Sequence, residues 1–242
     1  DVLSYDVVLD VDVAAETFDA MIDITTAVAP NLSQLSLDAI GFDVDTVLVD
    51  GAAAVFEQSF EELVIDLPAN RDDVVVATVS YSASPDGGTS AVGLPVGWFP
   101  TEGGAYVLNE PDGARTWLPS NDHPSDKALW RFEVTAPEAD VVSANGTLIQ
   151  RGGETEAWIW ESEDPMSTYL VHLVIGDYEL IEDASIALES GADLPITHLI
   201  PSGTADEHSV FFEQIAPQMA FFEERFGPYP LSEYGLAFID SP

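Results

Sequence analysis

The chain has no cysteine, a single lysine and no long hydrophobic run. Its 242 residues include 44 Asp plus Glu but only 6 Lys plus Arg, which gives a formal net charge of -38. The lack of cysteine excludes a disulfide framework and a thiolate metal site. No run reaches the roughly 18 apolar residues of a transmembrane helix, which excludes such a helix. With so few cations to displace counterions, nucleic acid and anionic membrane are excluded as partners.

Apolar residues, in contrast, are abundant. They make up 46% of the chain, which is ample for a buried core and indicates a globular protein rather than a disordered acidic tail. Mutual repulsion among the acids opposes compaction, and salt relieves it by shortening the Debye length to about 3 Å at 1 M. We therefore expect a salt-adapted protein from a halophilic or marine source. Its charge would attract a cationic group such as a peptide amine.

The hydrophobic pattern predicts a mainly β fold. Residues 5–13 alternate between apolar and mostly polar positions, which is typical of a strand with one buried face. Further short strands with turn signals follow, and no helical period appears before about residue 205, so we predict an antiparallel β-sandwich or saddle. The glycine-flanked residues 93–99 are predicted to be a loop. Within it, Trp98 and Phe99 form either a mobile flap or, as we favour, an anchor in the core.

The pattern changes after Pro201. Thr204 and Glu207 have the spacing of a capping box, and an apolar stripe at helical spacing continues to Phe226. Pro217 is expected to kink this helix because it removes a backbone donor. We therefore predict two domains: a β domain over residues 1–200 and a short α+β piece over residues 201–242.

The scarce cations are concentrated in one segment. Arg115, Lys127 and Arg131 are three of the six Lys and Arg residues, and carboxylates and prolines surround them. In a structural interpretation, Arg115 and Lys127 pair with Asp122, Asp126 or another carboxylate and hold an irregular loop. In a functional interpretation, the segment is a wall of a ligand site.

Nine residues of this segment follow a distinctive order: Glu110, Ala114, Arg115, Pro119, Asp122, His123, Pro124, Lys127 and Ala128. This order resembles the signature block in the amino-terminal β domain of zinc aminopeptidases of the aminopeptidase N and leukotriene A4 hydrolase type. Further similarities run from residues 5–7, through residues 144–148, to residues 226–235. The resemblance therefore covers essentially the whole chain.

The resemblance implies a role for Glu110 in substrate binding. In the family, the Glu at this position binds the free α-ammonium of a peptide substrate, and Arg115, Asp122, His123 and Lys127 complete the structural motif. The family often has Gln two residues earlier, where this chain has Leu108.

The resemblance also indicates what must lie outside the chain. The family binds zinc through His-Glu-x-x-His and a later Glu, and no such motif occurs here. We expect a truncated fragment with no catalytic residue, no metal ligand and no cofactor of its own, and zinc in the parent enzyme. Residues 201–242 would be the first elements of a thermolysin-like catalytic domain, which is the expected partner.

The histidines support this expectation from the residues themselves. His123, His172, His198 and His208 are the four histidines of the chain, and none has a histidine partner at i+4, so no helical metal pair is encoded.

The sequence leaves two hypotheses for function. The first is an amino-terminal domain or fragment of a zinc aminopeptidase, inactive without the catalytic domain. The alternative is a non-catalytic β-sandwich that serves as a protein-interaction scaffold. A chain that begins at Asp1 rather than Met is expected to have lost upstream residues. For its localisation, both the cytoplasm and export fit a salt-adapted microbe, and export is favoured.

The acidity generates a testable prediction. The melting temperature should rise strongly from about 0.05 to 2 M potassium chloride, because screening removes a repulsion that few cations offset. Calorimetry across this range measures the effect. A melting temperature that stays flat would contradict salt adaptation as the meaning of the acidity.

Overall fold

The fold was analysed in a computed structural model that describes residues 1–137, 140–152 and 157–239. It forms two compact units, residues 1–175 and 176–242. The first unit contains the strands β1 (Val2–Asp12), β2 (Thr17–Ala27), β3 (Gln34–Asp38), β4 (Asp43–Val49), β5 (Ala52–Ala53), β6 (Phe56–Gln58), β7 (Glu62–Asp66), β8 (Val74–Ala83), β9 (Gly88–Thr89), β10 (Pro95–Thr101), β11 (Gly104–Leu108), β12 (Lys127–Thr135), β13 (Val141–Ala144), β14 (Thr147–Gln150), β15 (Trp158–Glu161), β16 (Met166–Ser167) and β17 (Leu173–Gly176). The last of these strands extends one residue beyond the unit, to Gly176. Short 3₁₀ turns form at Ala114–Thr116 and Thr168–Leu170.

The largest sheet of the described residues has nine strands. Its order is β14-β15-β12-β1-β2-β8-β4-β5, and β16 pairs with β12 beside this path. β1 runs parallel to β12 and antiparallel to β2. The alternation predicted for residues 5–13 is present, with Tyr5, Val7 and Leu9 buried on one face. The predicted mainly β fold with antiparallel sheets is confirmed.

The other face of this sheet brings acids opposite one another. Asp6 pairs in register with Asp23 on β2, and Asp10 pairs with Asp19. Burial raises the pKa of the Asp6 carboxyl, Asp23 adds to that rise, and Arg131 on β12 opposes it. Like charges directly opposite each other destabilise a sheet, so these pairs are one structural source of the repulsion inferred from composition.

A five-stranded sheet, in the order β13-β17-β11-β10-β9, packs against the large one. Phe18 on β2 meets Trp98 on β10 with ring centroids 4.9 Å apart. The prediction that residues 93–99 form a loop is wrong, because β10 covers most of them and pairs with β11. Trp98 is buried in the core, and Phe99 stacks on Tyr106 at 5.4 Å. The third sheet of this unit, β3-β7-β6, is antiparallel.

The second unit is a β-hairpin with two helices. It contains β18 (Tyr178–Ala187), β19 (Asp193–Pro201), α1 (Ala205–Phe212) and α2 (Ile215–Phe226). Leu194, Ile196, Ile215 and Met219 form the centre of its buried cluster. Parallel bridges from β19 to Tyr234 and Ala237 add a short irregular segment to the hairpin.

The helical prediction needs two corrections. The capping box does not form, because the Thr204 hydroxyl donates to the carbonyl of Pro201 at 2.7 Å and only the Thr204 backbone carbonyl receives the Glu207 N–H. The helix is also broken at residues 213–214 rather than kinked at Pro217. Pro217 has no N–H for the carbonyl of Glu213, and as the third residue of α2 it occupies a first-turn position that requires no donor.

The predicted apolar stripe is buried on one side only. Ile215 and Met219 are buried, whereas Phe222 is 52% exposed and Phe226 is 81% exposed. Neither α-helix in the described ranges has the length and apolarity that a bilayer crossing demands.

One histidine is enclosed within this unit. His198 on β19 has no exposed surface, and its ring stacks on Phe212 at 4.0 Å. Its Nδ1 accepts the backbone N–H of Leu236 at 3.1 Å, and its Nε2 lies 3.6 Å from Asp183 Oδ2. Burial lowers the pKa of His198 below 6.5, although the Asp183 carboxylate opposes this effect.

The lowered pKa predicts acid sensitivity. Below about pH 6.5 the unfolded state binds a proton that the folded state excludes, so the free energy of unfolding should fall as pH decreases, by at most about 1.4 kcal/mol per pH unit. His198→Gln keeps an acceptor for Leu236 and cannot titrate, so it should lack this component. Denaturant unfolding of both proteins at fixed salt measures the difference in their free energies of unfolding. The range from pH 7.5 to 5.5 brackets the ordinary histidine pKa of about 6.5.

The matched control is His123→Gln, because His123 is exposed at the surface. It should keep the wild-type profile. Parallel profiles for wild type and His198→Gln would contradict the prediction.

Candidate functional site

The segment singled out by its cations forms an ion-pair network around the buried carboxylate of Asp122. The Arg115 Nε lies 2.9 Å from Asp122 Oδ2, and its Nη1 lies 3.0 Å from Asp38 Oδ1 at the end of β3. Arg115 also donates from Nη2 to the Asp122 carbonyl at 2.8 Å. Asp38 in turn accepts the backbone N–H of Asp122 at 2.9 Å. The Arg115 side chain thus makes one contact with each carboxylate, and these charge-assisted hydrogen bonds offset the cost of burying the Asp122 carboxylate.

The second oxygen of the Asp122 carboxylate extends the network to another segment. Asp122 Oδ1 accepts the hydroxyl of Thr168, which opens the 3₁₀ turn Thr168–Leu170. We call the four residues Asp38, Arg115, Asp122 and Thr168 the Asp122 network. It joins the end of β3, the signature segment and the connection that leads into β17.

The other two predicted motif residues lie outside this network. His123 is exposed, and its Nδ1 shares a hydrogen bond with the Ser125 hydroxyl at 2.7 Å. Lys127 is exposed at the start of β12 and forms no ion pair with a carboxylate of the described residues, so its expected pairing is not found. Asp126 instead accepts the backbone N–H of Val2, with both oxygens at 3.2 Å.

Glu110 lies at a cleft on the surface of the first unit. The cleft has a volume of about 500 Å³ and is lined by Leu94, Pro95, Val107, Leu108, Asn109, Glu110, Tyr169, Leu170, Val171 and His172. We call it the Glu110 cleft. Glu110 is exposed, and its carboxylate forms no ion pair or hydrogen bond with a residue of the described ranges.

The backbone beside Glu110 is fixed by buried groups. Asn109 is 3% exposed, and its Oδ1 accepts the Trp117 indole N–H at 2.9 Å. Its carbonyl accepts the N–H of Gly113 at 2.7 Å. A Cβ on Gly113 would lie 2.7 Å from the Leu108 carbonyl, so only glycine allows this close approach of the turn to the strand.

The lining of the cleft also contains a histidine, His172. Burial lowers the pKa of His172 to about 4, and its Nε2 shares a hydrogen bond with the Ser143 hydroxyl at 3.1 Å. At neutral pH the ring therefore carries no positive charge that would compete with a cationic ligand for the Glu110 carboxylate. Sequence reasoning did not assign His172 to the site, since an isolated histidine carries no spacing signal.

The described residues offer no ready metal site. No group of three or more His, Cys, Asp and Glu side chains in these ranges has an arrangement that could hold a metal ion. What the cleft offers chemically is a carboxylate that has no partner among the described residues and lies beside apolar side chains. Such a group can bind a cation or a hydrogen-bond donor.

Comparison with known proteins identifies relatives for both the sequence and the fold. Probable aminopeptidase 1 of Sulfurisphaera tokodaii is 25% identical over 213 residues, which cover 86% of this chain and 25% of that protein. Aminopeptidase N of Haemophilus influenzae is 25% identical over 215 residues, covering 86% of this chain and 24% of its own length. The chain thus spans about a quarter of the length of these aminopeptidases.

A solved structure matches the fold over the whole chain. The M1 zinc metallopeptidase of Deinococcus radiodurans, bound to a Tyr-Ser-Ala substrate, superposes with a TM-score of 0.91 at 24% identity. The match covers 100% of this chain and 57% of that one. The family model of the Peptidase M1 N-terminal domain matches residues 2–170. The chain therefore belongs to the Peptidase M1 N-terminal domain family, as the signature segment indicated.

Proposed function

We propose that this domain binds the free α-ammonium of a peptide substrate through Glu110. The observation that carries the proposal is the exposed carboxylate of Glu110 at the rim of the cleft, which has no ion-pair or hydrogen-bond partner in the described ranges. An ammonium group opposite a carboxylate forms a charge-assisted hydrogen bond, which is stronger than a neutral one. A substrate without a free amine would leave this interaction unmade and bind more weakly.

The surroundings of Glu110 favour an amine over other ligands. Leu94 and Leu108 line the cleft with apolar surface, which strengthens an ion pair relative to one in open water. The neutral ring of His172 leaves the negative charge of Glu110 uncompensated. The high acidity of the chain adds a long-range attraction for cationic groups.

The parent protein is proposed to be a zinc aminopeptidase. Membership of the M1 amino-terminal family and the aminopeptidase names of the relatives support this proposal. Zinc and the catalytic groups would come from outside the 242 residues, since no His-Glu-x-x-His occurs within them. Residues 201–242 are proposed to begin the catalytic domain, and the domain over residues 1–200 would contribute one wall of the substrate site.

The role of Glu110 is tested in the parent enzyme. Glu110→Gln should keep the fold and the zinc content while losing about 2 to 4 kcal/mol of transition-state stabilisation, which is about 30- to 1000-fold in kcat/KM. Steady-state kinetics on an aminoacyl substrate measures this loss.

The control is Glu102→Gln, which removes the same charge from an exposed turn residue outside the cleft. It should change kcat/KM little. Equal effects of the two variants would mean that the general acidic field attracts the substrate, and no effect at Glu110 would refute the assignment.

A second test concerns the 242-residue chain by itself. It should neither hydrolyse aminoacyl substrates nor retain zinc after dialysis, because its sequence contains no zinc-binding motif and no assigned nucleophile or base. Elemental analysis and an aminopeptidase assay provide the measurements. About one tightly bound zinc per chain would contradict the proposal.

A further inference from the structure

The wall of the Glu110 cleft is built by a connection between two sheets. Residues 168–172 join β16, which belongs to the nine-stranded sheet through its pairing with β12, to β17 in the five-stranded sheet. Four of these residues line the cleft: Tyr169, Leu170, Val171 and His172. Connections of this kind are usually more mobile than the elements they join. A wall with a fixed shape therefore needs additional bonds.

The side chain of Asn145 provides two of these bonds. Its Nδ2 donates to the Leu170 carbonyl at 3.2 Å, and its Oδ1 accepts the backbone N–H of His172 at 2.6 Å. A carboxamide carries a donor and an acceptor in one plane, so a single side chain can bind both peptide groups. Neither aspartate nor alanine can replace both bonds.

Asn109 binds the carbonyl of the second of these peptide groups, which joins Val171 to His172. Its Nδ2 donates to the Val171 carbonyl at 2.8 Å, while its Oδ1 accepts the Trp117 N–H. The two asparagines therefore bind three consecutive residues of the wall. Asn109 directly precedes Glu110 in the chain. The same buried residue therefore holds both the wall and the backbone that carries the Glu110 carboxylate.

The position of Asn145 depends on the turn that it forms with the next residue, Gly146. Asn145 and Gly146 connect β13 to β14, and Gly146 has φ +93°. A Cβ on Gly146 would lie 2.1 Å from the Glu161 carbonyl, so glycine is required for the turn to pack against β15. The resulting turn directs the Asn145 amide toward residues 170–172.

We propose that Asn145 and Asn109 form an amide clamp that fixes residues 170–172 as a wall of the Glu110 cleft, which makes Asn145 a positioning residue for recognition of the substrate amine. The inference rests on the proposed function of Glu110. In this scheme Asn145 does not touch the substrate. It restricts the side chains of Leu170 and His172 to one arrangement, so that the amine meets Glu110 in a single geometry.

The clamp is tested in the parent enzyme with Asn145→Ala. Hydrogen exchange, followed by mass spectrometry, should become faster in the peptide containing residues 168–172 and stay unchanged in the core strands. The kcat/KM for an aminoacyl substrate should fall about 10- to 100-fold at unchanged zinc content, as expected for a misplaced binding wall. Asn31→Ala is the matched control, because Asn31 lies in an exposed turn, and it should change neither quantity.

A double variant separates positioning from a purely structural role. If the clamp acts through Glu110, Asn145→Ala should cost much less in the Glu110→Gln background than in wild type. Fully additive effects would overturn the positioning role, and so would faster exchange with unchanged kcat/KM. Unchanged exchange would overturn the clamp itself.

The test can also distinguish the two proposals. If Glu110→Gln has no effect, the amine assignment fails, while the exchange data still decide whether the clamp exists. Should Asn145→Ala not fold, Asn145→Asp replaces it, because a carboxylate still accepts the His172 N–H and loses only the donor to Leu170. The same exchange and kinetic outcomes then apply.

Discussion

The first unit depends on the placement of one buried carboxylate. Asp122 receives Arg115 on one oxygen and the Thr168 hydroxyl on the other, and its backbone N–H binds Asp38. These bonds connect three segments that are distant in sequence. If Arg115 were removed, an uncompensated charge would remain inside the protein, and such a loss typically costs about 3 to 5 kcal/mol. The Asp122 network therefore has a structural role that is separate from the proposed role of Glu110.

The scarcity of cations gives this ion pair its significance. A chain with 6 Lys and Arg against 44 acids cannot neutralise its surface by pairing, and of the facing acids of β1 and β2 only Asp6 lies in register with a cation among the described residues, Arg131 on β12. Arg115 is used where a planar group can bind two carboxylates and a carbonyl. Lys127 and His123 have no comparable role, since both side chains are exposed.

The Glu110 cleft combines a fixed backbone with a free charge. Hydrogen bonds of Asn109 hold the residue before Glu110, and the side chain of Glu110 itself is left without a partner in the described ranges. In the lining of the same cleft, burial lowers the pKa of His172 to about 4, so its ring is neutral at pH 7. Neighbouring backbone and side-chain amide groups make the hydrogen bonds that keep the surroundings rigid, so the binding carboxylate itself stays accessible. The Asp122 network and the amide clamp thus provide rigidity, and the Glu110 cleft provides the accessible charge.

Local patterns in the sequence determined the strands whose one face is buried, such as β1, because alternation is a property of the chain itself. The signature block from Glu110 to Ala128 also indicated the family, since residue types at fixed spacing can be recognised in the sequence alone. The β10 strand was missed because its glycines and prolines signal a loop, and pairing with β11 overrides that local preference. The amide clamp and the neutral His172 were likewise decided by tertiary structure. Asn109, Asn145 and residues 170–172 are far apart in sequence, and only the packing of two sheets brings their hydrogen-bonding groups together.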